Sequence, residues 1–186
     1  MKAHSGFHNR ILAAFVLFFL SSLAAGAQTA TLDGLFADLA TADAQQSVRI
    51  EADIWREWSR SGSPAFDLLL ERGRKAIEQG DYGAAIEHLT ALTDHAPDFA
   101  EGWNARATAY YQAGDFGPSV ADIQRTLALN PRHFGAMAGF GAILEELERP
   151  EQALVVYRAA LALHPHLQGV LDAVQRLESA AAGQQL

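Results

Sequence analysis

Three prolines, Pro97, Pro131 and Pro165, stand 34 residues apart, and the residues between them keep the same phase. A repeat of that length is one helical hairpin, and it constrains the fold strongly, because each hairpin must bury its apolar face against the next. Counting back from each proline gives the frames 66–99, 100–133 and 134–167. Small residues fall at the eighth place (Gly73, Ala107, Gly141) and the twentieth (Ala85, Ser119, Ala153). Large ones fall at the fourth (Leu69, Trp103, Met137) and the twenty-fourth (Leu89, Ile123, Tyr157). Small residues let two antiparallel helices approach, and large ones fill the space between them. The expected fold class is therefore all-α, an α-solenoid of antiparallel helix hairpins.

Within each frame the corner between the helices also recurs. Gly80-Asp81-Tyr82 returns as Gly114-Asp115-Phe116, but the third frame has Glu148-Arg149-Pro150. Glycine enters the left-handed conformation at little steric cost, so a strained corner is expected at Glu148, where it is missing.

Trp103, Arg106, Ala107 and Tyr110, followed by Ser119, Ile123 and Pro131, make the middle frame resemble the tetratricopeptide-repeat family. The first frame carries the pattern as Leu69, Arg72, Gly73, Ala76, Ala85, Leu89 and Pro97, and the third as Met137, Phe140, Gly141, Leu144, Ala153, Tyr157 and Pro165. The resemblance spans residues 66–165 of the 186.

Segments 28–65 and 168–186 flank the three repeats. In the first, Leu32, Leu35, Phe36 and Leu39, then Val48, Ala52, Trp55 and Trp58, recur at helical spacing and predict a degenerate leading hairpin, with both tryptophans as core. An exposed aromatic patch for a partner is the other reading of Trp55 and Trp58. Ser59 to Pro64 forms a break, with Ser63-Pro64 as cap and first turn of the next helix. Asp98 and Glu101 have the spacing of a capping box. After Pro165, Val170, Leu171, Val174 and Leu177 form the stripe of a capping helix over roughly Gln168–Ala180, followed by a frayed tail.

At the amino terminus, Lys2 and Arg10 precede an apolar run from Ile11 to Leu20, and Ala25-Gly26-Ala27 has the small-x-small form of a cleavage site. Residues 1–27 are expected to be a secretory signal peptide, with an uncleaved anchor as the alternative. The chain contains no cysteine, so the exported domain would stand on helix packing without disulfides. With Lys2 and Arg10 removed, 12 basic residues face 22 acidic ones. That balance argues against nucleic acid and anionic lipid surfaces, whose binding draws on positive charge.

No cofactor and no enzymatic activity are expected, since no nucleophile, base or phosphate-loop signature is present. Gly139-Phe140-Gly141 lies within a helical repeat with no strand before it, and reads as close helix packing. His133, His164 and His166 flank the inter-repeat prolines and are read as partners of helix ends rather than metal ligands. Glu145, Glu146 and Glu148 are read as a solvated acidic face.

The resemblance implies that the first helix of each hairpin lines a concave groove, at its second, fifth, ninth, twelfth and thirteenth places. Carried over, these include Arg74 in the first frame, Asn104, Thr108, Tyr111 and Gln112 in the second, and Gly135, Glu145 and Glu146 in the third. Arg74, Asn104, Thr108, Tyr111 and Gln112 are the candidate partner-binding residues. The lysine and asparagine clamp that chaperone adaptors of the family close on a peptide carboxylate is replaced here by Leu70, Arg74 and Ala105. The expected function is a non-enzymatic scaffold that holds a segment of another protein, exported to the periplasm or cell exterior. The alternative is an oligomer that self-associates through its leading hairpin or terminal helix.

Overall fold

The computed structural model describes residues 31–183, and within them every regular element is a helix. These are α1 (residues 31–41), α2 (Ala44–Trp58), α3 (Pro64–Glu78), α4 (Tyr82–His95), α5 (Ala100–Gln112), α6 (Phe116–Leu129), α7 (Phe134–Glu146), α8 (Pro150–Leu163) and α9 (Gln168–Gly183). The signal-peptide reading of residues 1–27 lies outside the described residues.

Helices α3/α4, α5/α6 and α7/α8 pair as three hairpins, stacked through α4 on α5, α6 on α7 and α8 on α9. The place-eight and place-twenty-four residues meet as their sizes require. Gly73 lies so close to the Leu89 side chain that a methyl group there would overlap it, and Gly141 lies as close to the Tyr157 ring. Ala85 and Ala153 are fully buried, and Ser119 donates to the Ala107 carbonyl at 2.8 Å. We expect Gly73→Leu and Ala85→Leu each to lower stability by about 1 to 3 kcal/mol through overpacking, with Glu146→Ala nearly neutral on the exposed surface. Thermal melts followed by circular dichroism check this, and equal midpoints for all three would refute the register.

Helix ends follow local chemistry. The Asp81 side chain accepts from the Ala84 amide at 3.0 Å, while Pro64 and Pro150 open α3 and α8 in the first turn. Ser63 precedes α3 in extended conformation, but its side chain makes no capping bond. The expected capping box at Asp98 and Glu101 does not form. Phe99 occupies the cap position, and the Glu101 carboxylate turns instead to Arg74 and His133. Those two donors in a dry site hold a carboxylate more firmly than one amide at a solvated helix start. A complete capping box occurs at Asp43 and Gln46.

Gly80 and Gly114 have φ of 73° and 81°, and Glu148 adopts the same left-handed conformation at φ 56°. A side chain there is disfavoured by sterics, whereas glycine loses more freedom on folding, so the two effects partly cancel. Glu148→Gly should stabilise the third hairpin by up to about 1 kcal/mol, read as a higher melting midpoint.

Buried Val170 and Ala173 of α9, with half-buried Val174 and Leu177, cover the last apolar face at Leu144, Ala153 and Tyr157. Glu145 is not simply solvated. It accepts from the Tyr157 hydroxyl at 2.7 Å and from Arg176 of α9 at 2.7 Å, which lowers its pKa, chiefly through the arginine. Glu146 and Glu148 are exposed.

The leading hairpin is seated differently from the others. Helices α1 and α2 do form, but α2 is not packed along α3 as α4 is along α5. Phe36, Leu39, Ile54 and Trp58 instead share one buried cluster with Phe134 of α7 and Ala160 of α8. The hairpin therefore lies across the turns between repeats, beside the start of α7.

Candidate partner-binding groove

The concave surface is built by α3, α5 and α7, the first helices of the hairpins. One turn of α5 places Asn104, Thr108, Tyr111 and Gln112 toward α7, and all four line a single cleft of about 230 Å³. Its floor is small and apolar, made by Ala107, Gly135, Ala136 and Gly139, with Ile123 and Ile143 behind. Tyr111 is braced by the Phe116 ring at 5.8 Å, and the Thr108 hydroxyl bonds to the Asn104 carbonyl of its own helix. None of the cleft-lining residues is charged.

Arg74 stands apart from this cleft. It lies one helix over, on a stretch it shares with Trp55, Ile77, Glu78, Glu101, Asn104, Ala105 and Thr108. Its guanidinium is occupied, donating to the Ser59 hydroxyl at 3.0 Å and to Glu101 at 2.5 Å. Arg74 thus bridges α3, α5 and the end of α2, and only four of the five candidate residues meet at one place.

Sequence reasoning missed the polar network behind Arg74. Glu101 is 2% exposed and receives Arg74 on one oxygen and His133 Nε2 on the other, at 2.8 Å. The Ala136 amide donates to His133 Nδ1 at 3.0 Å, so His133 caps α7 with one nitrogen and must donate from the other. Trp58 stacks on this imidazole at 4.2 Å, and Trp55 meets its edge at 5.4 Å. His164 Nε2 lies 3.1 Å from Glu51 of α2, and His166 Nε2 donates to the Ala42 carbonyl at 3.0 Å. The carboxyl of Glu51 is held below the usual range, first by His164 and further by the Trp55 indole. All three histidines thus fasten the leading hairpin, and His133 and His166 also bond backbone groups as expected. Among the described residues no three His, Asp or Glu side chains gather as metal ligands, and no helix is long and apolar enough to cross a membrane.

Comparison with known proteins agrees with this architecture. A tetratricopeptide-repeat family model matches residues 70–117 and 104–167. A TPR repeat-containing protein of Rhizobium etli is 35% identical over 153 residues, covering 82% of this chain and 75% of that protein. Human RNA polymerase II-associated protein 3 is 28% identical over 118 residues, 63% of this chain but only 18% of that protein. The first TPR of Spaghetti (RPAP3), solved bound to the HSP90 peptide SRMEEVD, superimposes with a TM-score of 0.61 at 28% identity, covering 64% of this chain and 98% of that one. The magnetosome-type protein MamA shares the fold over 84% of this chain with a TM-score of 0.52. Hairpin stacking, the small-to-large pairing within each repeat and these matches converge: the chain belongs to the tetratricopeptide-repeat family.

Proposed function

We propose that this protein is a non-enzymatic interaction scaffold whose concave face captures a segment of a partner protein. The observation that carries this reading is the convergence of Asn104, Thr108, Tyr111 and Gln112 on one cleft with an apolar floor. Such a cleft accepts an aliphatic or aromatic side chain, while the amides and hydroxyls at its rim bond the segment's backbone. The related Spaghetti domain, solved with an HSP90 peptide, supports peptide capture as the general mode. The ligand proposed here differs, because Arg74 is committed to Glu101 and the cleft offers no cation for a terminal carboxylate.

Tyr111→Ala with Gln112→Ala should weaken capture about tenfold, equivalent to about 1.4 kcal/mol, and leave helicity unchanged. Crosslinking and pull-down from native extracts, run beside circular dichroism, test this. Wild-type capture by a normally folded double variant would remove the cleft from consideration.

The scaffold acts, in this proposal, after export. Ala25 and Ala27 precede Gln28 as a cleavage site would require, and the acidic balance suits a protein partner better than nucleic acid or anionic lipid. In the periplasm or cell exterior it would hold a partner during assembly of an envelope or secretion complex. Mass spectrometry of the exported protein should find Gln28 first, and a membrane-bound form retaining Met1 would overturn export by cleavage.

A further inference from the structure

The surface beneath α2 is a helix site that the chain fills with its own helix. Glu51, Trp55 and Trp58 fall at i, i+4 and i+7, one face of α2, and all three face the array. Trp55 lies over Gly135, where a Cβ would stand 2.5 Å from the indole, so the absence of a side chain on α7 makes room for that ring. Trp58 stacks on His133, and Glu51 meets His164. The recognition elements are thus a glycine gap, an imidazole platform and an imidazole donor, at a spacing that reads one helical face.

The fit of α2 is incomplete. His164 is fully buried, yet its Nδ1 has no hydrogen-bond partner. An orphaned polar atom in a dry site costs about 1 to 3 kcal/mol relative to a satisfied one. A crevice of about 610 Å³ also remains between the hairpin and the array, lined by Leu32, Trp58, Phe66, Phe99, Leu129 and His133 among others. The connection to α3 turns at Gly62, with φ 81°, in the short stretch between Trp58 and Pro64.

We propose that this rim of the concave face is a receptor for an amphipathic helix of a partner protein, one bearing a carboxylate at i and aromatic residues at i+4 and i+7. In the free protein α2 holds the place of that helix. This extends the capture reading, from which it takes only the concave face as the binding surface, and it concerns the rim at Gly135 and His133 rather than the α5 cleft. A partner helix reaches the rim only in the fraction of molecules whose hairpin has lifted, so its apparent affinity is reduced by that fraction. Loosening α2 therefore strengthens binding in trans.

The test uses the full chain and a synthetic peptide of residues 43–59, which keeps the Asp43 and Gln46 capping box, titrated by calorimetry. Trp55→Ala with Trp58→Ala should bind the peptide at least tenfold more tightly than wild type. Adding Gly135→Ala to that variant should abolish the gain. With Trp55 gone, the new methyl meets nothing in cis closer than His133 at 3.5 Å, but it obstructs the incoming indole. Hydrogen exchange on wild type with excess peptide supplies a readout that does not depend on the variants folding. Residues 31–58 should exchange faster while α3–α9 stay protected. Equal peptide affinity for wild type and double variant, or no exchange response in wild type, would overturn the proposal. A wild-type dimer that trades hairpins, detected by light scattering, would assign the site to a second copy and overturn the partner reading. A normal Tyr111 effect on capture with no peptide response would sink this inference and leave the scaffold reading standing.

Discussion

Phe134→Ala should lower stability by about 3 to 5 kcal/mol, the largest loss expected from a single truncation in this chain. Phe134 is fully buried and stands among four other rings: Phe36 at 6.3 Å, Trp55 at 5.7 Å, Trp58 at 5.0 Å and His164 at 5.1 Å. Three of these belong to the leading hairpin, so the cavity left by alanine would open where α1 and α2 meet the array. Little can collapse into it, because α7 is held on its other side by α6 and α8. The melting midpoint should fall, and amide exchange should quicken in residues 31–58 before it does in α3 and α4. A loss below about 1 kcal/mol would mean that the hairpin does not rest on α7 in solution.

Glu101→Ala should follow, with a loss of about 2 to 3 kcal/mol. Without its carboxylate, the buried His133 Nε2 donor has no acceptor, while Ala136 keeps the other nitrogen committed. Arg74 contributes less to this loss, since its side chain is 38% exposed and recovers hydration when its partner is removed. Glu101→Gln retains an acceptor for the imidazole but sets an amide toward the guanidinium, and should lose less than the alanine variant. Equal melting of Glu101→Ala and wild type would show that the network contributes nothing to stability.

Much of the array is legible because its constraints are local and repeated. The phase of Pro97, Pro131 and Pro165 places the hairpins, and the pairing of Gly73 with Leu89 and Gly141 with Tyr157 follows from positions sixteen apart in one hairpin. The absent glycine at Glu148 likewise announces its positive φ. Glu101 was misread because a carboxylate three residues after Asp98 satisfies the spacing of a capping box whether it bends back or reaches across. Nothing near it in the chain points to His133, 32 residues on.

The seat of the leading hairpin was less legible still, since Trp55 and Gly135 belong to different hairpins and a solenoid is ordinarily read through nearest neighbours. The available signal was Gly135 itself, a glycine in the first turn of a helix that needs no unusual backbone there. For the groove, the positions carried over on α5 converge, whereas Arg74 is drawn away by a buried carboxylate that the family pattern does not contain.

The placement of the indoles gives the molecule an optical signal of its own. Of its three tryptophans, Trp55 and Trp58 sit together under the hairpin, 5.2 Å apart and against His133, whereas Trp103 is tied to the Pro97 carbonyl and lies beneath Arg106 on another part of the array. Water relaxing around an excited indole moves its emission to longer wavelength, so lifting the hairpin would redden two emitters while the third stayed constant. Stopped-flow emission on unlabelled protein would then time the hairpin's opening directly, with Trp103 as the internal reference.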